Sequence, residues 1–343
     1  MDESCFYYGV QTAGGACSGL FDTKMQKKII AISGGSQSIK NKVFATLSTE
    51  LKKENRKNDV LHSLDNNIFG VYCENNGLLF ADEKFFDNNG QKEICKKINL
   101  NKYFTQNIPQ IFLDDYILEY DETAERCRKF LIASDGLKKE MLRIDSQNIN
   151  YGAATSFSSK LWKKHGGKMK GSVGTETKRF VTCVTPDGVE LNTKIFNQCD
   201  RIDVIVDKTG AVARFTVDRV RRYALSSGYE VLSLICSLDC KTVEHIIIPE
   251  LGYGLISAKH FHHIEPKKSR RIFAAKFHTK GSELVKNRLA FTHKAYCSLM
   301  NEAFNLLALA KENEERLDRI LCKNIDTQTV VGELKNLYKN PDL

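Results

Sequence analysis

Three short patterns recur along this chain at one fixed distance, and that recurrence limits its folds more than any other feature. Phe6-Tyr7-Tyr8-Gly9, followed by a glycine-containing turn, is echoed by Phe180-Val181-Thr182-Cys183, which runs into Thr185-Pro186-Asp187-Gly188. Ile29-Ile30-Ala31-Ile32 is echoed by Asp203-Val204-Ile205-Val206, and Val60-Leu61-His62-Ser63-Leu64-Asp65 by Leu234-Ile235-Cys236-Ser237-Leu238-Asp239. Each pair is 174 residues apart (6 to 180, 30 to 204, 63 to 237). Near the ends, Asn148-Ile149-Asn150 matches Asn324-Ile325-Asp326 and Leu161-Trp162 matches Leu337-Tyr338, both at 176. An offset kept from the first strand to the last helix implies a tandem duplication. The expected organisation is a first lobe at 1–165, a flexible Gly/Lys/Ser link at 166–177 and a second lobe at 178–343.

Both lobes share one coarse layout. A β-branched apolar strand (28–32; 202–206) is followed by a turn and an amphipathic helix, with apolar residues at Val43, Leu47 and Leu51 and at Val217, Val220 and Ala224. A second strand (60–62; 231–236) and a short apolar run (77–81; 254–258) come next, and helical sequence closes each lobe at 125–143 and 286–320. Strands alternating with helices predict an α/β fold of mainly parallel sheets flanked by helices.

In such a fold the loop between first strand and first helix is the natural anion site, because its N–H groups and the helix N-terminus face an incoming phosphate. The working form of that loop is G-x-x-x-x-G-K-[ST]: glycines wrap the phosphates, Lys reaches the β/γ oxygens and the hydroxyl ligates Mg²⁺. The first lobe reads Gly34-Gly35-Ser36-Gln37-Ser38-Ile39-Lys40-Asn41. It keeps the opening glycine and the lysine, but Ile39 replaces the second glycine and Asn41 the hydroxyl. The second lobe reads Asp207-Lys208-Thr209-Gly210-Ala211-Val212-Ala213-Arg214-Phe215. At the 174 offset Arg214 falls opposite Lys40; a one-residue shift puts Ala213 there. Either way the second glycine and the hydroxyl are gone, and Asp207 or Lys208 stands at the first glycine. The candidate nucleotide-binding residues are therefore Gly34, Gly35, Ser36, Gln37, Ser38, Lys40 and Asn41, with Gly210 and Arg214 in the second loop. No residue is assigned a catalytic or metal-ligating role.

The Tyr7-Tyr8-Gly9 opening, Thr185-Pro186-Asp187-Gly188-Val189, Ile248-Pro249-Glu250-Leu251 and the ending with Asn324-Ile325-Asp326 together resemble a group of Firmicutes tandem P-loop proteins of the ATPase or nucleotide-kinase kind. The resemblance spans essentially the whole chain and implies two P-loop-NTPase-like lobes. Typical members look intact in both loops, with G-x-P-G-T-G-K-S, whereas this chain departs at both. Ile-Pro-Glu-Leu is kept only in the second lobe; the first has Val71-Tyr72-Cys73-Glu74 there.

Other patterns carry less. Ile111-Phe112-Leu113-Asp114-Asp115 has the form of a Walker B strand, but the nearby Pro109 and helical sequence favour a loop or helix entry. His260, His262 and His263 lie close together without a Cys or carboxylate cluster at ligand spacing. Asp65 and Asp239 follow the second strands, as ligand contacts or as helix N-caps. The 11 cysteines include no CxxC and read as small buried apolar residues. The net charge of +9, with Lys-rich runs at 160–170 and 267–271, permits nucleic-acid contact without requiring it. No eighteen-residue apolar run and no signal-like N-terminus occur, so a cytoplasmic protein without a membrane span is expected. The leading expectation is a non-catalytic or weakly catalytic P-loop-like protein that works with a protein partner and keeps ATP or GTP with Mg²⁺ in the first lobe at most. The alternatives are an active ATPase or nucleotide kinase with a divergent loop, and a nucleic-acid-binding protein acting through its basic surface.

Overall fold

The structure is a computed structural model that describes residues 6–19, 28–63, 67–86, 94–105, 110–261, 269–279, 281–322 and 324–340, the side chains of 11, 110–117 and 320 excepted. In chain order the first half holds a hairpin of β1 (Gly9–Thr12) and β2 (Gly15–Ser18), β3 (Lys28–Ser33), α1 (Gln37–Lys53), β4 (Asn58–His62), β5 (Ile68–Cys73), β6 (Leu78–Asp82), β7 (Ile94–Asn99), α2 (Gln110–Ser146) and α3 (Tyr151–His165). The second half repeats that order after one added strand, β8 (Glu176–Phe180). It continues through β9 (Thr182–Thr185), β10 (Gly188–Leu191), β11 (Arg201–Val206), α4 (Ala211–Ser226), β12 (Val231–Ile235), β13 (Val243–Ile248), β14 (Tyr253–Ala258) and β15 (Ser269–Phe273) to α5 (Glu283–Leu321) and α6 (Thr327–Lys339).

The fold is α/β, and its two main sheets are mixed. One runs β4-β5-β6-β3-β7, with β3 parallel to β6 and β7 and with β4-β5 and β5-β6 antiparallel. The other runs β15-β11-β14-β13-β12-β8, where β13 is antiparallel to both neighbours. The physical reason is connection length. A parallel crossover takes a dozen or more residues, whereas β4 to β5 and β5 to β6 are joined by only a few.

The chain forms two compact units that are not contiguous in sequence. One, the N-sheet unit, comprises Phe6–Lys129, Thr185–Asp187 and Ala303–Leu343; the C-sheet unit contains Phe130–Val184 and Gly188–Glu302. The boundary thus falls within α2 and α5, away from 166–177. That Gly/Lys/Ser segment, expected to be a flexible link, is tied to the C-sheet unit. Lys170 N–H donates to Ser227 O and Gly174 N–H to Leu225 O, and the Tyr229 hydroxyl donates to Lys168 O. A Cβ on Gly174 would stand 1.9 Å from Tyr229 O, so the close approach requires glycine.

In the N-sheet unit, α1 begins at Ser36, whose hydroxyl accepts the Ile39 N–H. Its Ile39, Val43, Phe44, Leu47 and Leu51 are completely buried over β3, β5 and β6. The cover over that face is completed by α6, whose Val330, Leu334 and Leu337 join the same core. Asp326 caps α6 by accepting from Gln328 N–H and Thr329 N–H. The opposite sheet face carries an aromatic cluster, with Phe69 at ring-centroid distances of 5.3 and 5.8 Å from Phe85 and Phe86. In the C-sheet unit α3 plays the matching part. Its Ala154 and Leu161 pack with Val217, Val220 and Ala224 of α4.

Leu334 is fully buried, so Leu334→Ala is expected to destabilise the N-sheet unit by about 2–5 kcal/mol. Hydrogen exchange should show faster opening of α1 with α4 unchanged. Equal protection of α1 in both proteins would remove α6 from that core.

Candidate functional site

The loop from β3 to α1 has the backbone an anion-binding turn needs. Gly34 and Gly35 have φ of 69° and 62°, left-handed values that glycine adopts without strain. Its polar groups, however, are already engaged within the N-sheet unit. Gly35 N–H donates to Asn101 Oδ1 at 2.8 Å, and a Cβ on Gly34 would lie 2.3 Å from Asn99 Oδ1. The first-turn N–H of Gln37 donates to Glu314 Oε1 of α5 at 2.9 Å. Ser38 Oγ donates to the Asp318 carboxylate, one turn further along that helix. Asn41 Oδ1 accepts from Ile68 N–H at 2.8 Å, and its amide donates to Asn67 Oδ1 at 2.8 Å. A carboxylate therefore stands at the α1 N-terminus, where the helix dipole and free N–H groups would otherwise attract phosphate.

Lys40 is buried and its Nζ lies 2.8 Å from Asp82 Oδ1, at the end of β6. Lys84 Nζ stands 3.5 Å from Asp82 Oδ2 and donates to Gln37 Oε1 at 2.6 Å. Burial lowers the Lys40 ammonium pKa, and Asp82 acts against that shift. Burial also pushes the Asp82 carboxyl upward, but Lys84 and Lys40 outweigh it and hold the group below the usual carboxylate range. Tyr120 of α2 completes the surroundings, its phenol pKa raised by burial and so protonated at neutral pH.

In the C-sheet unit the loop from β11 to α4 carries its own carboxylate. Buried Asp207 accepts from Ala213 N–H at 2.9 Å and from Thr209 N–H at 3.3 Å. Gly210 precedes α4 with φ 86°, a left-handed value that suits glycine. Thr209 Oγ1 donates to Asp145 Oδ2 of α2 at 2.5 Å. Arg214 is exposed and lies away from this loop, in an open groove with Tyr151 and Asp218. Beside the loop, Lys138 Nζ lies 2.9 Å from Cys236 Sγ and 3.1 Å from Glu244 Oε1, and Lys259 Nζ pairs with the same Glu244 oxygen. Burial raises the pKa of the neighbouring Tyr296 phenol and of the Cys236 thiol. The cavity bordered by Lys138, Lys208, Glu244, Lys259 and Tyr296 holds about 30 Å³. Small-molecule pockets take roughly 300–1,000 Å³.

Sequence reading found the two loops but not the groups that fill them: Glu314, Asp318, Asp82, Asp145 and Glu244. One signal was present. Tyr120 and Tyr296, and likewise Lys138 and Glu314, stand 176 residues apart, the offset of the later repeat. Three other readings change. Ile111–Asp115 belongs to α2, so it is not a Walker B strand. Asp239 caps a turn, accepting from Lys241 N–H and Thr242 N–H, because β12 leads to β13 and not to a helix. Only some cysteines are buried; Cys95 is exposed and Cys199, Cys240, Cys297 and Cys322 are half-buried. Asp65, His262 and His263 lie outside the described residues, among which no helix is long and apolar enough to cross a membrane.

Asp82→Asn leaves Lys40 buried without its counter-ion, and the expected loss is about 3–5 kcal/mol at pH 7. Because the folded Asp82 pKa is depressed, its contribution is present above the unfolded value of about 3.9 and disappears as pH falls through the folded value. Urea titrations should thus show a gap between wild type and variant that narrows below about pH 4; a gap independent of pH would refute the ion pair's role. Comparison of the chain with protein-family models, curated proteins and solved structures finds no match.

Proposed function

We propose that this chain is a non-catalytic, P-loop-like protein, a scaffold or regulatory subunit whose phosphate-binding loops are filled by its own carboxylates. The observation that carries the reading is Glu314 on the Gln37 N–H, next to Lys40 held by Asp82. A triphosphate entering this loop must displace Glu314 and compete with Asp82 for Lys40. Breaking a buried pair costs about 3–5 kcal/mol, against roughly 8 kcal/mol for micromolar binding. The remainder, about 3–5 kcal/mol, corresponds to an affinity between a few tenths of a millimolar and several millimolar. The second loop is closed to anions by Asp207, which sits within the loop itself and would repel a phosphate.

A working ATPase or nucleotide kinase would need Glu314 and Asp82 to release the loop, and would need a Mg²⁺ ligand where Asn41 is bonded to Ile68 and Asn67. The nucleic-acid reading has less behind it: in the groove that contains Arg214, Arg221 is paired with Glu176 and Asp218, and Arg222 with Asp218.

The test is thermal stability of the purified protein with millimolar ATP or GTP and Mg²⁺. A ligand at a hundred times its Kd adds about 2.7 kcal/mol, an easily seen shift in Tm. No shift is expected for wild type, and Glu314→Ala, which uncovers the α1 N-terminus, is expected to gain a shift with pyrophosphate. An ATPase rate well above background that vanishes in Lys40→Ala would overturn the proposal.

A further inference from the structure

At the rim of the C-sheet cavity, three soft donor side chains from two elements converge. His293 and Cys297 lie one turn apart on α5, so their side chains share a helix face. His260 follows the end of β14, and its ring centroid is 4.9 Å from that of His293, with the planes at 82°. Cys297 Sγ is 3.7 Å from His293 Nδ1 and 3.9 Å from its Nε2. One donor atom from each of His260, His293 and Cys297 lies within 4.8 Å of the other two. The absence of a cysteine at ligand spacing argued against metal in the sequence. Folding supplies that cysteine from α5.

We propose that His260, His293 and Cys297 form a binding site for a thiophilic divalent transition-metal ion, with Zn²⁺ the best match. Tetrahedral Zn²⁺ holds imidazole nitrogen at about 2.0–2.1 Å and thiolate sulfur at about 2.3 Å, which places ligand atoms roughly 3.3–3.7 Å from one another. The sulfur-to-nitrogen separation already has that value, and turning the exposed His260 ring and the half-buried His293 ring brings the remaining donors inward. One His nitrogen on a strand end and a His/Cys pair on a helix also join separate segments, as structural and catalytic zinc sites do. Among the described residues neither imidazole has a carboxylate partner, so a simple ion pair does not account for the cluster. Coordination releases the Cys297 thiol proton to solvent and leaves a thiolate–metal bond. Three protein ligands leave one position open toward the adjoining cavity, whose lining includes His260 and His293.

The test uses full-length protein freed of metal by chelator and titrated with Co²⁺, a spectroscopic substitute for Zn²⁺. The expected result is one equivalent bound with tetrahedral d–d absorption and a thiolate-to-cobalt charge-transfer band, both abolished by Zn²⁺. Cys297→Ser should lose the charge-transfer band. His293→Ala should weaken Zn²⁺ binding beyond the roughly 10- to 100-fold loss caused by outer-sphere changes. Cys240→Ser, at a half-buried cysteine elsewhere in the unit, should match wild type. Circular dichroism checks that each variant is folded. No band in the wild-type protein, or a band of equal intensity in Cys297→Ser, overturns the site.

Discussion

The apolar face of α1 has to be covered on both sides, and only part of that cover comes from the sheet beside it in sequence. Val43, Leu47 and Leu51 are shielded by β5 and β6 below and by Val330, Leu334 and Leu337 of α6, close to three hundred residues downstream. Fully burying a side chain of this size is worth about 1.5–3 kcal/mol, so the α6 contact contributes much of the unit's stability. Delivering α6 to this position also brings the last part of α5 with it. Glu314 and Asp318 therefore reach the α1 N-terminus because Leu334 must reach the α1 face. The occupied loop is a consequence of how the core is closed.

The C-sheet unit follows the same logic with the earlier helices. Packing of α3 on α4 through Ala154 and Leu161 fixes the end of α2, and α2 carries Asp145 to Thr209 and Lys138 to Glu244. In both units a residue from a long helix enters the polar region at the strand ends. The residues that close the loops lie far from them in sequence for this reason.

That distance decides what could be read from the chain. The strands 28–33 and 201–206, the helices after them, and the pairing of Leu161 with Leu337 were legible because each depends on local periodicity or on the repeat. The strands at 68–73 and 243–248 were not. Ile-Phe-Gly-Val-Tyr-Cys is a nearly continuous apolar run and Val-Glu-His-Ile-Ile-Ile ends in a short one; neither gives a direction, and only the short connections on either side require them to run antiparallel. In the candidate site, Gly34, Gly35 and Lys40 were visible through a local motif. Glu314 was not, since nothing in its surroundings on α5 marks it as a partner of Gln37. Its position opposite Lys138 in the repeat was the sole trace, and the two side chains carry opposite charge.

That opposition has a physical meaning. In the N-sheet unit Lys40 and Lys84 face Asp82, with Glu314 on the Gln37 N–H; in the C-sheet unit Lys138 and Lys259 face Glu244, while Asp207 is held by the N–H groups of Thr209 and Ala213. In the loop that carries Lys40 the long helix brings an acid, Glu314. In the loop that carries Asp207 the loop's own N–H groups hold the acid, and Lys138 of the long helix pairs with Glu244. Unpaired charge at these buried strand ends would cost several kcal/mol, so each charged loop residue is held by a partner. The charge in both loops is thus met within its own unit: Lys40 is paired with Asp82, and Asp207 accepts the N–H groups of Thr209 and Ala213.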